Sequence, residues 1–461
     1  MMKYVDTWDL DSVIPGGTSS EVLKDKLAHI ESSIKDYEKL LKDIDLSTEQ
    51  SAKEFNHLLA EYEKIEKGII QSAAFVQMWQ DAYMDDAHAS VMMGQIMDLY
   101  SDMQKLFNTL MKKILDIPNE VWVSLLTDEK LQKISFKLNE IRNKGKRLLS
   151  EAEEKLIADL NKDGLAAWSK IYDTVVSIMK IPFTDENGKT TQLSVGQAMN
   201  RMYSDPDQKV RDQLFKNWED AWSENGPIFA DILNHLAGYR ITLQKAHQRE
   251  DHLDEPLEYN RMSKATLDAM WSAVADHKQP FIDFLNQKAK LLQMDQLGWQ
   301  DVDAPITIGS EEPLRFTYDE ACDFILEHFA SFGPKLAKFA EHALKNRWVE
   351  AEDRPNKRPG GYCTGLPEFK ESRIFMTFTG SQSDMSSYVM KDLPYLNQSY
   401  AMNVAETAST FAETIINYAA LENAKTTEEK IALLNAKLEG ATGMFLNIHA
   451  RFLFEDAFYK E

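Results

Sequence analysis

The run GGYCTGLPEFKESRIFMTFTG, residues 360–380, carries the clearest β-strand signal in the chain. Its last part, residues 373–379, alternates well enough to predict a half-buried strand. The charged turn PEFKES comes directly before this strand, and the glycine-rich GGYCTG comes before the turn. The stretch therefore predicts a small sheet, and strand signals elsewhere in the chain are few and local.

Helical patterns dominate the sequence on both sides of this stretch. The first predicted helix follows Pro15-Gly16-Gly17, and Thr18 and Glu21 have the spacing of a capping box. Apolar residues then recur at alternating steps of four and three, which is typical of a helix packed along a seam. They are Leu23, Leu27, Ile30, Ile34, Tyr37, Leu41 and Ile44.

A β-hairpin is predicted further along the chain. Residues 181–184 and 189–193 flank an Asn187-Gly188 turn, and Ser194 with Gln197 has the spacing that caps the next helix. These patterns predict a mainly α fold. They divide it into an N-terminal helical bundle at residues 1–110, a helical lobe ending in the hairpin at residues 111–193, and a third domain at residues 194–461.

Composition excludes several classes of function. The chain has 461 residues and a formal net charge of -22, so neither nucleic acid nor a membrane is expected as a partner, because phosphate binding relies on clustered lysine and arginine. The first residues lack the apolar core of a signal peptide, and a cytoplasmic location is expected. Cys322 and Cys363 have no CxxC spacing and are expected to be reduced thiols. Motifs for nucleotide binding and for serine hydrolases are absent.

A second informative stretch, TGSQSDMSSYVMKDLPYLNQSYAMNVAETAST, occupies residues 379–410. The strand, the TGS turn, the DMS and the NVAETAS occur in the order of the M3 peptidase family, and the chain resembles its oligoendopeptidase F branch. Trp8-Asp9-Leu10 and Asp303-Ala304-Pro305 are similar to the family as well. The resemblance implies a multi-helix, two-lobed body around a deep channel, with a small sheet beside the cleft, zinc at its floor and short peptides as substrates. Residues 194–461 are then the M3-type catalytic domain.

One part of the family pattern is missing. In the family, the equivalent of Ser386 runs into a helix of the pattern TLAHELGHAFH, about three turns long, before the equivalent of Tyr388 is reached. An HExxH run places two imidazoles one turn apart on one helix face, where both bind Zn²⁺, and its glutamate activates the bound water. The resemblance therefore implies an internal deletion near residues 386–387. It also implies a C-terminal truncation, because the family continues beyond the equivalent of Glu461.

Glu406 corresponds to the family's third zinc ligand and is the one metal-binding residue that the resemblance carries over. No catalytic residue is carried over, because the HExxH histidines and glutamate are absent. A catalytic zinc needs three protein ligands and an open position for water. His247 and His252 are five residues apart, which sets them about 140° apart around a helix. Glu413 is interpreted as structural. The other histidines occur singly, at His29, His57, His88, His235, His277, His328, His342 and His449.

The chain therefore resembles a zinc metalloendopeptidase that hydrolyses short oligopeptides. Without HExxH, the chain is expected to be inactive and not to bind Zn²⁺ stably. The alternative is a non-catalytic peptide-binding or scaffold protein that keeps the cleft of the family without its metal.

Overall fold

The computed structural model describes residues 3–48, 51–161, 163–306, 317–352, 354, 357–358, 361–376, 393–404 and 407–460, with the side chains of residues 408 and 409 excepted. The fold is mainly α with small sheets, as predicted. Two compact units are present, Met1–Leu160 with Arg315–Ile416 as unit 1 and Asn161–Leu314 with Asn417–Glu461 as unit 2. The division into residues 1–110, 111–193 and 194–461 concerns the order of domains along the chain, and it stays a prediction.

The first part of unit 1 is helical. Its main hydrophobic core joins the three longest of these helices, α1, α2 and α3, to the shorter helices that follow. The helices are α1 (Glu21–Asp43), α2 (Ala52–Ala82), α3 (Ala87–Asp116), α4 (Asn119–Leu125), α5 (Glu129–Lys133), α6 (Ser135–Gly145) and α7 (Glu151–Leu160).

Helix α1 confirms the predicted seam but not the predicted cap. Six of the seven seam residues are buried, and Ile44 is the half-buried C-cap. The N-cap is Ser20, whose Oγ accepts the N–H of Leu23 at 3.2 Å. The predicted capping box of Thr18 and Glu21 is therefore wrong. The hydroxyl of Thr18 instead donates to the carboxylate of Asp86 at 2.7 Å. Thr18 therefore makes a tertiary contact and does not cap the helix.

Unit 2 begins with α8 (Leu165–Ile178) and the predicted hairpin, β1 (Ile181–Thr184) and β2 (Thr190–Leu193). Gly188 occupies its turn at φ 76°, and Ser194 forms the predicted capping box with Gln197. The helices that follow are α9 (Val195–Ser204), α10 (Gln208–Glu224), α11 (Gly226–Ala246), α12 (Asp254–Tyr259), α13 (Lys264–Asp276) and α14 (Gln279–Leu291).

A buried ion pair connects two segments of unit 2. Arg211 in α10 approaches Asp301 at 2.8 Å, and both side chains are almost fully buried. Asp301 lies in the 3₁₀ turn Trp299–Asp301, so the pair joins this turn to α10. Arg211 also donates to the backbone oxygens of Asp205 and Pro206, and its buried guanidinium is well satisfied.

The chain returns to unit 1 with α15 (Tyr318–Phe332), α16 (Pro334–Lys345), β3 (Val349–Glu350), β4 (Tyr362–Leu366) and β5 (Glu371–Phe375). Strand β5 pairs with β3 in parallel and with β4 in antiparallel orientation. It begins two residues before the predicted strand, because Glu371 already pairs with Leu366 across the tight turn. Residues 377–379 of the predicted strand lie outside the described residues.

The last helices are α17 (Thr407–Asn423), α18 (Thr427–Thr442) and α19 (His449–Lys460), with a π-helical segment, Gly443–Ile448, between the last two. Met402–Val404 form a 3₁₀ turn, and α17 is described from Thr407 onwards. Within the described ranges, no helix has both the length and the apolar character needed to cross a membrane.

The two cysteines are free, as expected. Cys322 is buried in α15, and burial raises the pKa of its thiol to about 12. Cys363 is half-buried in β4.

Candidate functional site

A cavity of about 530 Å³ lies beside β4 in unit 1, and we call it the β4 cavity. Helices α2, α3 and α6 contribute to its lining, together with β4 and the turn that follows this strand. Residues 395–400, which begin with the 3₁₀ turn Tyr395–Asn397, contribute as well. The cavity therefore combines parts of the chain that are more than 300 residues apart, as a functional cleft commonly does.

One edge of β4 faces away from its partner strand. The backbone N–H groups of Ile374 and Met376 donate towards β3, so that of Arg373, the residue before Ile374 in β5, points towards β4. Arg373 pairs with Thr364. Because successive backbone groups alternate in direction, the N–H and C=O of Gly365 point away from β5.

Gly365 is exposed and lines the β4 cavity. A methyl group built on its α carbon would meet no described atom within 4 Å apart from its two neighbours in the chain, so the face of the strand is open at this position. In the described part of the sheet, β4 has β5 as its one neighbour. An exposed strand edge of this kind can pair with an extended peptide through main-chain hydrogen bonds.

A carboxylate held by tyrosines lines the same cavity. The hydroxyl of Tyr62 donates to Glu66 at 2.8 Å, and Tyr395 also hydrogen-bonds this carboxylate. Burial raises the pKa of Glu66, and the two tyrosine hydrogen bonds act in the opposite direction. Burial also raises the pKa of Tyr62 and of Tyr395, so both phenols remain hydrogen-bond donors at neutral pH.

Several contacts fix the walls of the cavity. The ammonium of Lys67 lies 4.7 Å from the ring centroid of Tyr395, and Asn397 donates to the backbone oxygen of Lys133 at 2.8 Å. On the strand side, Tyr362 donates its hydroxyl to the buried carboxylate of Asp81 at 2.7 Å. These contacts hold residues 395–400 and β4 against the helices, so the cavity is largely preformed.

Lys137 supplies the opposite charge. Its side chain is largely buried in α6, lines the β4 cavity and pairs with Glu140 at 2.8 Å. Glu66 and Lys137 therefore offer an acceptor and a donor to one ligand. Both groups are of the kind that fix the orientation of a ligand in a mainly apolar cleft.

The residues that the sequence singled out for zinc are not brought together by the described structure. Glu406 and the DMSSYVM stretch, residues 384–390, lie outside the described residues. Glu413 is exposed on α17. Among the residues that are described, no group of three or more His, Cys, Asp or Glu side chains could hold a metal ion.

The donor set of the chain does not fit the family's zinc site. The full sequence contains no His-Glu dipeptide and hence no HExxH. His247 caps the end of α11 and His252 precedes α12, so these two do not share a helix. His252 instead pairs with Asp456 at 3.2 Å, and His449 stacks on Trp271 with ring centroids 4.6 Å apart. A catalytic zinc needs three protein ligands, and this sequence lacks the histidine pair that supplies two of them in the family.

Sequence reasoning missed Glu66 and Tyr395. Glu66 lies one turn after Tyr62, next to the apolar stripe of α2. This position is the one sequence feature that indicates a buried carboxylate here. Its second tyrosine comes from a segment more than 300 residues away, which no local pattern reveals.

Comparison with known protein families gives two matches. The family described as Oligopeptidase F matches residues 113–181, and Peptidase family M3 matches residues 201–461. The second match covers more than half of the chain and includes β4, β5 and the position of Glu406.

Individual relatives agree with these families. The Oligopeptidase PepF of Bacillus subtilis is 22% identical over 458 residues, covering 96% of this chain and 66% of the relative. The Group B oligopeptidase PepB of Streptococcus agalactiae is 23% identical, covering 75% of this chain and 59% of the relative. The chain thus spans less than two thirds of the length of either relative.

The fold is similar to that of a solved peptidase. The crystal structure of oligoendopeptidase-F from Enterococcus faecium matches with a TM-score of 0.67 at 18% identity, covering 95% of this chain and 74% of that one. This likeness shows the fold, and the family match over residues 201–461 shows the family. The chain belongs to peptidase family M3.

Proposed function

We propose that the chain binds short oligopeptides in the β4 cavity and does not hydrolyse them at an HExxH zinc centre. The outward-facing backbone of Gly365 carries the proposal, because it offers an N–H and a C=O to an extended peptide at an edge of β4 that pairs with no strand in the described part of the sheet. Family membership supports a peptide as the ligand.

The walls of the cavity suit such a ligand. Tyr62, Phe107 and Tyr395 provide aromatic surface for side chains of the peptide. Glu66 accepts hydrogen bonds from a peptide amine, and Lys137 donates to a peptide carbonyl or carboxylate. Backbone pairing recognises any sequence, so these side chains are expected to decide which peptides bind.

The same sequence argues against zinc-dependent hydrolysis. Two imidazoles and a glutamate are what HExxH supplies, and the chain has no His-Glu dipeptide. Glu406 would remain a single ligand, too few to hold a catalytic Zn²⁺.

Zinc-dependent cleavage of oligopeptides is the second candidate. The M3 match over residues 201–461 and the oligopeptidases among the relatives favour it. It requires a metal centre built from ligands other than the family's histidine pair.

Two measurements on the purified protein separate these candidates. Fluorescence anisotropy of a labelled short peptide reports binding, and an internally quenched version of the same peptide reports cleavage. Saturable binding with no cleavage in added Zn²⁺ supports the proposal. Cleavage that a chelator abolishes, in protein holding stoichiometric zinc, overturns it in favour of the second candidate. Absence of both binding and cleavage contradicts both.

A further inference from the structure

A second cavity in unit 1, of about 440 Å³, shares Glu371 with the β4 cavity but is otherwise lined by different residues. It lies where the N-terminal turn, the end of α16 and strand β5 meet, and we call it the Arg373 cavity. Its lining includes Asp9, Lys345, Arg347, Trp348, Phe369 and Arg373.

Arg373 is a buried cation with an incompletely satisfied guanidinium. Its side chain is 2% exposed, and its Nη1 donates to Glu371 and to the backbone oxygen of Ser372, each at 3.0 Å. Its Nε is buried, and no residue in the described ranges accepts a hydrogen bond from it. A buried donor without an acceptor costs free energy, and more so when the group is charged.

The unsatisfied side of this guanidinium has a defined geometry. Arg373 lies over the ring of Trp348, 5.0 Å from its centroid, and both residues line the cavity. Both described hydrogen bonds come from Nη1. The opposite edge, formed by Nε and Nη2, matches the two oxygens of a carboxylate in a bidentate pair.

The remaining charges of the cavity favour an anion of low charge. Lys345 and Arg347 add two cations to Arg373, and Asp9 and Glu371 oppose them with two carboxylates. Arg347 is committed to the backbone and hydroxyl of Thr7, and Lys345 pairs with Glu341 at 2.6 Å. Two carboxylates therefore already face any anion in this cavity, and they repel a dianion such as phosphate more than a monoanion.

We propose that the Arg373 cavity binds a small organic carboxylate, with the carboxylate on the Nε and Nη2 edge of Arg373 and the apolar part against Trp348 and Phe369. The apolar part is expected to be flat, because the guanidinium stacks on Trp348 and Phe369 lines the same cavity. The Arg373 cavity borders the β4 cavity at Glu371, and the proposal does not depend on peptide binding in the β4 cavity.

Titration with benzoate tests the proposal, with benzamide as the neutral control of the same shape. Calorimetry at constant ionic strength should show saturable benzoate binding and none of benzamide. Arg373→Lys keeps the positive charge but loses the two parallel N–H donors of the guanidinium. It should weaken benzoate binding at least about tenfold, since it removes charge-assisted hydrogen bonds. Arg373→Gln should abolish binding, while Lys35→Gln, an equal change of charge on the exposed face of α1, should leave it unchanged.

A second variant keeps the test valid if the Arg373 variants unfold, as judged by circular dichroism. Asp9→Asn removes a competing carboxylate but retains the oxygen that accepts the N–H of Ser12 at 3.2 Å, so it should fold and bind benzoate more tightly. Equal affinity of wild type and Asp9→Asn overturns the proposal. So do equal binding of benzoate and benzamide, tighter binding of inorganic phosphate than of benzoate, and no saturable binding by wild type.

Discussion

Tyr62 and Glu66 face each other across one turn of α2, where the phenol donates a 2.8 Å hydrogen bond to the carboxylate. Residue spacing of four places any such pair in contact on a helix. Here the contact lies in the wall of a cavity, and burial raises the pKa of Glu66. The ionised carboxylate therefore lowers the free energy of unfolding when no ligand occupies the cavity.

Glu66→Gln should stabilise the protein at neutral pH. A carboxyl whose pKa is raised on folding contributes stability below its unfolded pKa and loses it as pH rises through the folded pKa. Removing the charge should therefore raise the melting temperature at about pH 7, and the difference from wild type should shrink as pH falls below about 4.3, the ordinary value for glutamate. Thermal denaturation followed by circular dichroism measures both. An unchanged or lower melting temperature at neutral pH would show that the ionised form is not destabilising.

Gly365→Pro should weaken peptide binding without unfolding the sheet. Proline removes the N–H that points away from β5, and edge strands tolerate it at such a position. Loss of one main-chain hydrogen bond corresponds to about a two- to tenfold increase in Kd. Gly365→Ala is the matched control, because its methyl group meets no atom within 4 Å and the N–H is retained. If both variants bind the labelled peptide as wild type does, strand addition at β4 is excluded.

The two thiols should differ in reactivity. Burial raises the pKa of Cys322 to about 12, so it remains a protonated, inaccessible thiol, whereas Cys363 is half-buried and lines the β4 cavity. A thiol reagent should label Cys363 first and reach Cys322 only after denaturation. Saturating peptide should slow the labelling of Cys363. The variant Cys363→Ser reports the labelling rate of Cys322 alone in the native protein. A rate higher than that of Cys363 would contradict this order.

Asp301→Ala should strongly destabilise unit 2. It leaves the guanidinium of Arg211 buried without its carboxylate, and breaking a buried pair in this way costs about 3–5 kcal/mol. Urea denaturation gives the change in the free energy of unfolding. Glu31→Ala, which breaks the exposed pair with Lys35, should have a far smaller effect. Similar effects of the two variants would mean that burial of the Arg211 pair adds nothing.

Local patterns predicted those elements whose stabilising contacts are local. The seam of α1 and the Asn187-Gly188 hairpin are correct because helix periodicity and turn conformation depend on nearby residues. Thr18 was misassigned because its hydroxyl binds Asp86, which lies 68 residues away. Periodicity alone does not identify a family. The motifs in residues 360–380 and 403–409 indicated the M3 family, and the family match confirms it.

The candidate sites were harder to predict than the fold. Alternation in residues 373–379 indicated a half-buried strand, on which an arginine normally faces solvent, yet Arg373 is buried beside Trp348. Its environment comes from three separate segments of the chain. Glu66 and Tyr395 likewise meet only in the folded molecule.

The open edge of β4 also bears on self-association. A strand edge that admits a peptide admits the same strand of another molecule, and an unprotected edge is a route to aggregation. Strand β4 is only five residues long, so it offers few main-chain hydrogen bonds to another copy. The length of the strand therefore limits how far this edge can recruit further copies of the protein.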